Sequence, residues 1–172
     1  MEATPFFDFA RQLCDRIEQS IGEEEADLLS KVKPQLEATI AEIHHNLGCI
    51  GTETNQPQYT LKHFTIFNEM MVQESGSTVR GKDNRLYISW NELGNAFMLN
   101  KNWSKGEECF KTSIESARLL PNYQPTDISF PMVNLGLAYW LMGRSDEALS
   151  TLTEGLAHRE AVYGADDTES FM

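Results

Sequence analysis

The sequence predicts an all-α helical solenoid of antiparallel helix pairs, because one eight-residue pattern recurs along the chain. Residues 90–97 (WNELGNAF) return as residues 132–139 (MVNLGLAY) and, more faintly, lie upstream as residues 44–51 (HHNLGCIG). Internal periods of this length are typical of stacked repeats. A second pair of residues also follows each octet at constant spacing, namely Thr60 and Phe64, Gly106 and Phe110, and Ala148 and Leu152.

Composition and charge limit the classes of function. The chain has 172 residues, 41% of them hydrophobic, which suffices for one domain with a buried core. Its formal net charge of -12 offers no attraction to nucleic acid or to anionic membranes. No apolar run approaches the ~20 residues of a membrane-spanning helix. Three separated cysteines fit neither a disulfide framework nor a paired-cysteine metal site, so a reduced, cytoplasmic location is expected.

The first elements follow from apolar spacing and from proline. An N-terminal helix is predicted over residues 4–21, followed by an acidic junction at residues 22–27. Pro34 is expected to start or kink the next helix, and the first repeat spans residues 36–74. A polar segment with two glycines then predicts a surface loop before the second repeat.

The second and third repeats are predicted over residues 84–119 and 127–163. Pro121 breaks the chain between them. Gly143 should end the first helix of the third repeat, and Ser145 should cap its second helix. With the N-terminal helix, these elements make seven helices in a single domain that covers the whole chain.

The repeated glycines predict close packing inside each helix pair. A glycine in the middle of a helix costs roughly 1 kcal/mol relative to alanine. Its recurrence at Gly48, Gly94 and Gly136 therefore implies a compensating contact with the second helix. The aromatic residue three positions later, Phe97 or Tyr139, is expected to fill the gap beside the small residue of that second helix.

Two patterns in the sequence resemble the tetratricopeptide repeat. They are Trp90-x-x-Leu93-Gly94-x-x-Phe97 with Gly106-x-x-x-Phe110, and Leu135-Gly136-x-x-Tyr139 with Ala148-x-x-x-Leu152. The 42-residue spacing of the two octets is similar to the kinesin-light-chain variety, which also occurs in fungal signalling ATPases of the innate-immunity type. The resemblance covers residues 36–165. It implies a right-handed array whose first helices line a concave groove for a peptide or partner helix, with no enzymatic activity and no cofactor.

The register of the octets predicts which side chains face that groove, because the leucine of each octet points into the core. The predicted groove residues are His45, Asn46, Cys49, Asn91, Glu92, Asn95, Val133, Asn134 and Leu137, with Met98 and Trp140 one turn further on. Asparagine amides can donate to and accept from a peptide backbone, and Met98, Leu137 and Trp140 would form an apolar pocket. The alternative is that the asparagines only bridge neighbouring helices.

Catalytic and metal-binding chemistry is not favoured. Glu42, His45 and Cys49 share helical spacing, but they lie on one helix without a visible fourth ligand. His44 and His45 beside Cys49 lack a third group that would orient a nucleophile and its base. The predicted groove also carries no basic residue, which disfavours a clamp for a C-terminal carboxylate.

The ends of the repeat array predict a second possible function. Leu149, Leu152 and Leu156 line the last helix, and no complete helix follows to cover them. One interpretation is that the sequence is a piece of a longer array, with residues 166–172 beginning another first helix. The other is that a second copy covers the leucines, which would make the chain a self-association module.

Overall fold

The structure, a computed structural model, describes Arg16 and residues 23–164. Those residues form six α-helices and one short 3₁₀ helix, without any strand, so the predicted all-α helical repeat fold is confirmed. The elements are α1 (Glu23–Glu53), α2 (Pro57–Ser75), α3 (Arg85–Leu99), α4 (Trp103–Arg118), the 3₁₀ helix (Pro125–Ile128), α5 (Ser129–Leu141) and α6 (Ser145–Tyr163). Among them, none is long and apolar enough to cross a membrane. Apart from Arg16, the predicted helix at residues 4–21 lies outside the described residues.

The chain divides into two compact units, Met1–Ile43 and His44–Met172. The second unit contains the last residues of α1 and all the later helices, and it is the unit described below. The assignment of the whole chain to one domain, and the limits of its repeats, stay predictions.

Helix α1 begins before Pro34, inside the stretch that was expected to be an acidic junction. Its first residue is Glu23, and it carries Pro34 inside. Because proline has no backbone N–H, the helix forgoes one hydrogen bond at that position. The sequence before Pro34 is rich in glutamate, alanine, leucine and lysine, which all favour helix, and this propensity explains why the helix begins earlier.

The three repeated glycines bring the helices of each pair into close contact, as the sequence predicts. A Cβ atom would lie 2.3 Å from the Phe64 ring at Gly48, 2.4 Å from the Phe110 ring at Gly94 and 2.6 Å from the Leu152 side chain at Gly136. In every pair the contacting side chain comes 16 residues after the glycine. The first helix of each pair therefore leaves a gap that one large side chain of the second helix fills.

The companion prediction for Phe97 was wrong. At Gly106 the nearest side chain is Met98, whose sulfur would lie 2.9 Å from an added Cβ atom. The ring of Phe97 instead has the ammonium group of Lys105 5.2 Å from its centroid. Successive residues of a helix differ by about 100° in direction, so a one-residue difference decides which side chain meets the partner helix.

Consecutive pairs stack through one apolar cluster and several polar contacts. The cluster joins α4, the 3₁₀ helix, α5 and α6, and its members are Phe110, Ile114, Ala117, Ile128, Met132, Leu135, Ala138, Tyr139 and Ala148. Between α2 and α3, the buried Asn68 amide donates to the Ser89 hydroxyl at 3.0 Å. Inside the second pair, the Ser113 hydroxyl of α4 donates to the Tyr87 carbonyl of α3 at 2.7 Å.

The junction of α5 and α6 also ties two pairs together. Gly143 follows α5 with a φ of +77°, a left-handed conformation that suits glycine and ends the helix as predicted. Arg144, not Ser145, precedes the first turn of α6, and it forms no side-chain cap. Its guanidinium pairs with Glu147 and, at 2.8 Å, with Glu107 of α4. This ion pair joins the third pair of helices to the second.

The Gly94 contact predicts that Gly94→Ala destabilises the protein. Alanine removes the helix penalty of roughly 1 kcal/mol, but its Cβ would lie 2.4 Å from the Phe110 ring, which is fully buried. Overpacking of this kind costs about 1–3 kcal/mol, so we expect a net loss of up to about 2 kcal/mol in urea unfolding followed by circular dichroism.

The double variant Gly94→Ala, Phe110→Leu is the control for this contact. Leucine shortens the side chain, so the double variant should lose less stability than the two single variants added together. Unchanged or increased stability of Gly94→Ala would show that the ring moves aside without cost.

Candidate partner-binding surface

The predicted groove residues of the second unit lie on α1, α3 and α5, the first helix of each pair. We call the surface that they form the first-helix surface. Its residues are His45, Asn46 and Cys49 on α1, Asn91, Glu92, Asn95 and Met98 on α3, and Val133, Asn134, Leu137 and Trp140 on α5. Glu53, the last residue of α1, lies one turn after Cys49 and adjoins this surface. Whether these residues bind a partner stays a prediction.

Helix α5 presents a row of exposed apolar side chains to solvent. Its members are Phe130 (63% exposed), Val133 (43%), Leu137 (45%), Trp140 (62%) and Leu141 (41%). They follow one another at steps of three, four, three and one residues, which places them on one side of the helix. We call this set the α5 apolar row. The sequence analysis missed Phe130 and Leu141, although continuing the same spacing in both directions from Leu137 would have found them.

The asparagines form a polar network between α3 and α5. The Asn134 amide donates to the Asn91 side-chain oxygen at 3.0 Å. Asn91 and Asn95 each donate to one carboxylate oxygen of Glu92, both at 3.3 Å. Asn91 is only 8% exposed, so its amide bridges neighbouring helices, as the alternative interpretation expects. Asn95 and Asn134 are half-buried and stay closer to solvent.

The thiol of Cys49 on α1 lies within electrostatic reach of the Glu92 carboxylate on α3. Burial raises the pKa of its thiol, and the nearby carboxylates of Glu92 and Glu53 raise this pKa further. The thiol therefore stays protonated at neutral pH, which makes it a weak nucleophile. His45 lies beside it, with Nε2 3.8 Å from the sulfur. Across the described part of the chain, no three His, Cys, Asp or Glu side chains are grouped so that they could hold a metal ion.

Met98 lies partly inside the protein. Its side chain is half-buried, packs against the apolar cluster and approaches Gly106 of α4. Leu137 and Trp140, the other members of the predicted apolar pocket, are far more exposed. The apolar contact area available to a partner therefore lies mainly on α5.

Two histidines meet where α1 packs against α2. The Nδ1 atoms of His44 and His63 are 2.9 Å apart, and His63 is fully buried. The edge of the Tyr59 ring lies against His63, with ring centroids 4.3 Å apart. Burial lowers the pKa of His63 to about 4, and the charges of His44 and Lys62 act in the same direction. His63 is therefore neutral at pH 7.

A separate cleft of about 390 Å³ lies between α4, α5 and α6. Its lining includes the apolar residues Ile114, Met132 and Leu135. Arg118 and Glu154 also line the cleft, and the Nη2 atom of Arg118 lies 3.7 Å from Oε1 of Glu154. The sequence analysis did not predict this cleft, because it results from the packing of three helices rather than from one helix face.

Comparison with known proteins supports the repeat architecture. Residues 85–161 match the family model described as tetratricopeptide repeat. No curated protein matches the sequence. Among solved structures, the chain is similar to BtubC (BKLC) from P. vanneervenii, with a TM-score of 0.64 and 19% sequence identity. The match covers 80% of this chain and 55% of that one, so this chain spans about half the length of BtubC. At such low identity the likeness shows the fold alone.

The buried histidine predicts a loss of stability in mild acid. The pKa of His63 is about 4 in the folded chain, whereas an unfolded histidine titrates near 6.5, so the unfolded state binds the proton more tightly. Stability should fall as the pH drops from about 6.5 to about 4, by as much as ~3 kcal/mol from this group. Urea unfolding at a series of pH values measures the effect.

The variant His63→Phe keeps an aromatic ring and removes the titrating group. Its stability should depend less on pH over this range than that of the wild type. Equal pH dependence of His63→Phe and wild type would contradict the assignment.

Proposed function

Because residues 85–161 match the tetratricopeptide-repeat family model, we propose that this chain is a non-enzymatic scaffold that binds a peptide or partner segment across its first-helix surface. The α5 apolar row is the observation that supports this proposal most directly. Tetratricopeptide repeats generally mediate interactions between proteins, and this chain has exposed contact area on the first helix of a pair.

The α5 apolar row suits a binding role because its side chains are large and accessible. An aromatic side chain such as Trp140, which is 62% exposed, offers a wide contact area at a small cost in conformational entropy. Burial of apolar surface contributes roughly 25 cal/mol per Å², so a segment lying on this row would gain affinity from apolar contact. Such residues are also typical of the few that dominate the energy of an interface.

The amide network supplies the polar part of the surface. The hydrogen bond from Asn134 to Asn91 uses one N–H of Asn134, and an amide side chain has two such donors and an acceptor oxygen. Asn134 can therefore keep its link to α3 and still bond to a peptide backbone. On this view the asparagines bridge helices and present polar groups at the same time.

The proposal predicts where a bound peptide perturbs the chain. Short peptides are selected from a displayed library of random sequences by their binding to the whole chain. When bound, they should shift the backbone amide resonances of α1, α3 and α5 more than those of α2, α4 and α6. Trp140→Ala should weaken their binding about tenfold or more, because it removes the largest exposed side chain of the α5 apolar row.

Leu119→Ala is the matched control, because Leu119 is also an exposed apolar residue, at 44%, but follows α4. It should leave the affinity unchanged. Shifts confined to the second helices, or binding that ignores Trp140→Ala, would overturn the proposal.

A second candidate function, self-association through α6, is favoured by a comparison of the repeats. In the second pair, Glu107 bonds to Arg144 of the next pair, and Phe110 and Ile114 belong to the cluster with α5. The positions 42 residues later are Leu149, Leu152 and Leu156, which are 70%, 38% and 38% exposed. The equivalent positions of the second pair are in contact with residues of the third pair. We propose that a second copy of the chain packs against the exposed leucines.

The structure indicates which leucines should be replaced in a test. Leu152 fills the gap at Gly136, so replacing it would also loosen the fold. Leu149 and Leu156 lie two turns apart on one face, and the variant Leu149→Glu, Leu156→Glu should convert a dimer into a monomer. Light scattering over a wide concentration range measures the mass. A wild-type mass that equals one chain at every concentration would rule out self-association.

A further inference from the structure

Charge is distributed unevenly along the first-helix surface. The three first-helix stretches, residues 44–53, 86–99 and 129–141, contain no lysine or arginine, whereas Glu53 and Glu92 supply carboxylates on α1 and α3. The arginine that opens α3, Arg85, pairs with Glu74 and Asp83 at 2.7 and 2.9 Å. The α1 and α3 parts of the surface therefore have negative charge that no lysine or arginine in these stretches offsets.

Helix α5 differs from α1 and α3 because it contains no charged residue at all. Its exposed side chains form the α5 apolar row, with two aromatic rings and three aliphatic groups. The surface thus changes from acidic and polar on α1 and α3 to apolar on α5. A segment that crosses these helices meets two different chemistries in a fixed order.

The Glu92 carboxylate is positioned to meet a cation. Each of its oxygens accepts one amide N–H, from Asn91 and from Asn95, at 3.3 Å. These bonds fix the direction of the carboxylate, and each oxygen can accept a further hydrogen bond. After burial, the charges of Glu92 and Glu53 both raise the pKa of Cys49, so both carboxylates lie within electrostatic reach of this thiol. A lysine or arginine of a partner would meet both charges there.

The helix arrangement sets the spacing within such a partner. Neighbouring packed helices lie about 8–10 Å apart, and an extended chain rises about 3.3 Å per residue. One helix step therefore corresponds to about three residues of an extended segment, and the two steps from α1 to α5 to about six. The contact between Asn134 and Asn91 makes α3 and α5 neighbours on this path.

We infer that the segment bound by the first-helix surface carries a lysine or arginine about three to six residues from an aromatic or aliphatic side chain. The basic group contacts Glu92 and Glu53, and the apolar side chain contacts the α5 apolar row. This inference rests on the proposed function and specifies its ligand. Charge complementarity is the reason for choosing a basic partner. An acidic segment would meet the same two carboxylates and a chain of net charge -12.

The test uses the short peptides that are selected from the displayed random library by their binding to the whole chain. Their sequences should share a basic residue and an apolar residue at the inferred spacing. Synthetic copies, measured by fluorescence anisotropy, should bind the variant Glu53→Gln, Glu92→Gln about fivefold more weakly than wild type, because the charge pairs are lost. Added salt should weaken binding to wild type more than to this variant.

Glu108→Gln is the control for charge, since Glu108 is an exposed carboxylate on the second helix α4. It should leave affinity and salt dependence close to those of wild type. Circular dichroism melts of each variant check that the fold is intact, which matters for Glu92 because its carboxylate orients two amides.

The outcomes separate this inference from the proposed function. Peptides that depend on Trp140 but are neutral or acidic, and that bind the double glutamine variant as well as wild type, would overturn the inference and leave the scaffold proposal standing. Peptides that ignore both Trp140→Ala and the glutamine variant would overturn both. Basic and apolar peptides that lose affinity in both variants would support both.

Discussion

The close contact between a glycine of each first helix and a large side chain of the second determines how this protein packs. Gly48 meets Phe64, Gly94 meets Phe110 and Gly136 meets Leu152, in each case at a distance that no Cβ atom could tolerate without movement. The contact sets the separation of the two helices and their register.

The polar contacts that stack the pairs also shape the candidate binding surface. Asn91 is buried, and its side-chain oxygen accepts a hydrogen bond from Asn134 that links α3 to α5. The same network orients the Glu92 carboxylate through Asn91 and Asn95. Under the proposed function, stability and recognition would depend on the same amide groups. Substitution of Asn91 would disturb both stability and partner binding. Variants of Glu92 and Trp140 separate the two effects better, because they change the charge or the apolar area of the surface.

The unequal exposure of equivalent positions connects the two proposals. Positions that α5 covers in the second pair are exposed in the third, and α5 itself has an open apolar row. The first-helix surface and the α6 leucines are distinct, since they lie on different helices of the same pair. A segment could occupy α5 while a second copy covers α6, so the two functions are compatible.

Much of the fold followed from the sequence, because helix pairs are local and their apolar spacing is directly visible. The octets predicted the helix pairing and a close approach of the second helix at each glycine, and the structure identified the contacting side chain 16 residues later. Gly143 also marked a helix end correctly, because its left-handed backbone is a local property. Pro34 does not start α1, because the helix-forming residues before it outweigh one missing hydrogen bond.

The sequence by itself determined the fold class, the glycine packing and the identity of the first helices, since each is encoded by spacing within a few turns. Only the tertiary structure decided that Asn91 is buried by Asn134, that Met98 packs against Gly106 and that Phe130 and Leu141 extend the exposed row. These facts depend on which neighbouring helix approaches each side chain. Spacing along one helix does not contain that information.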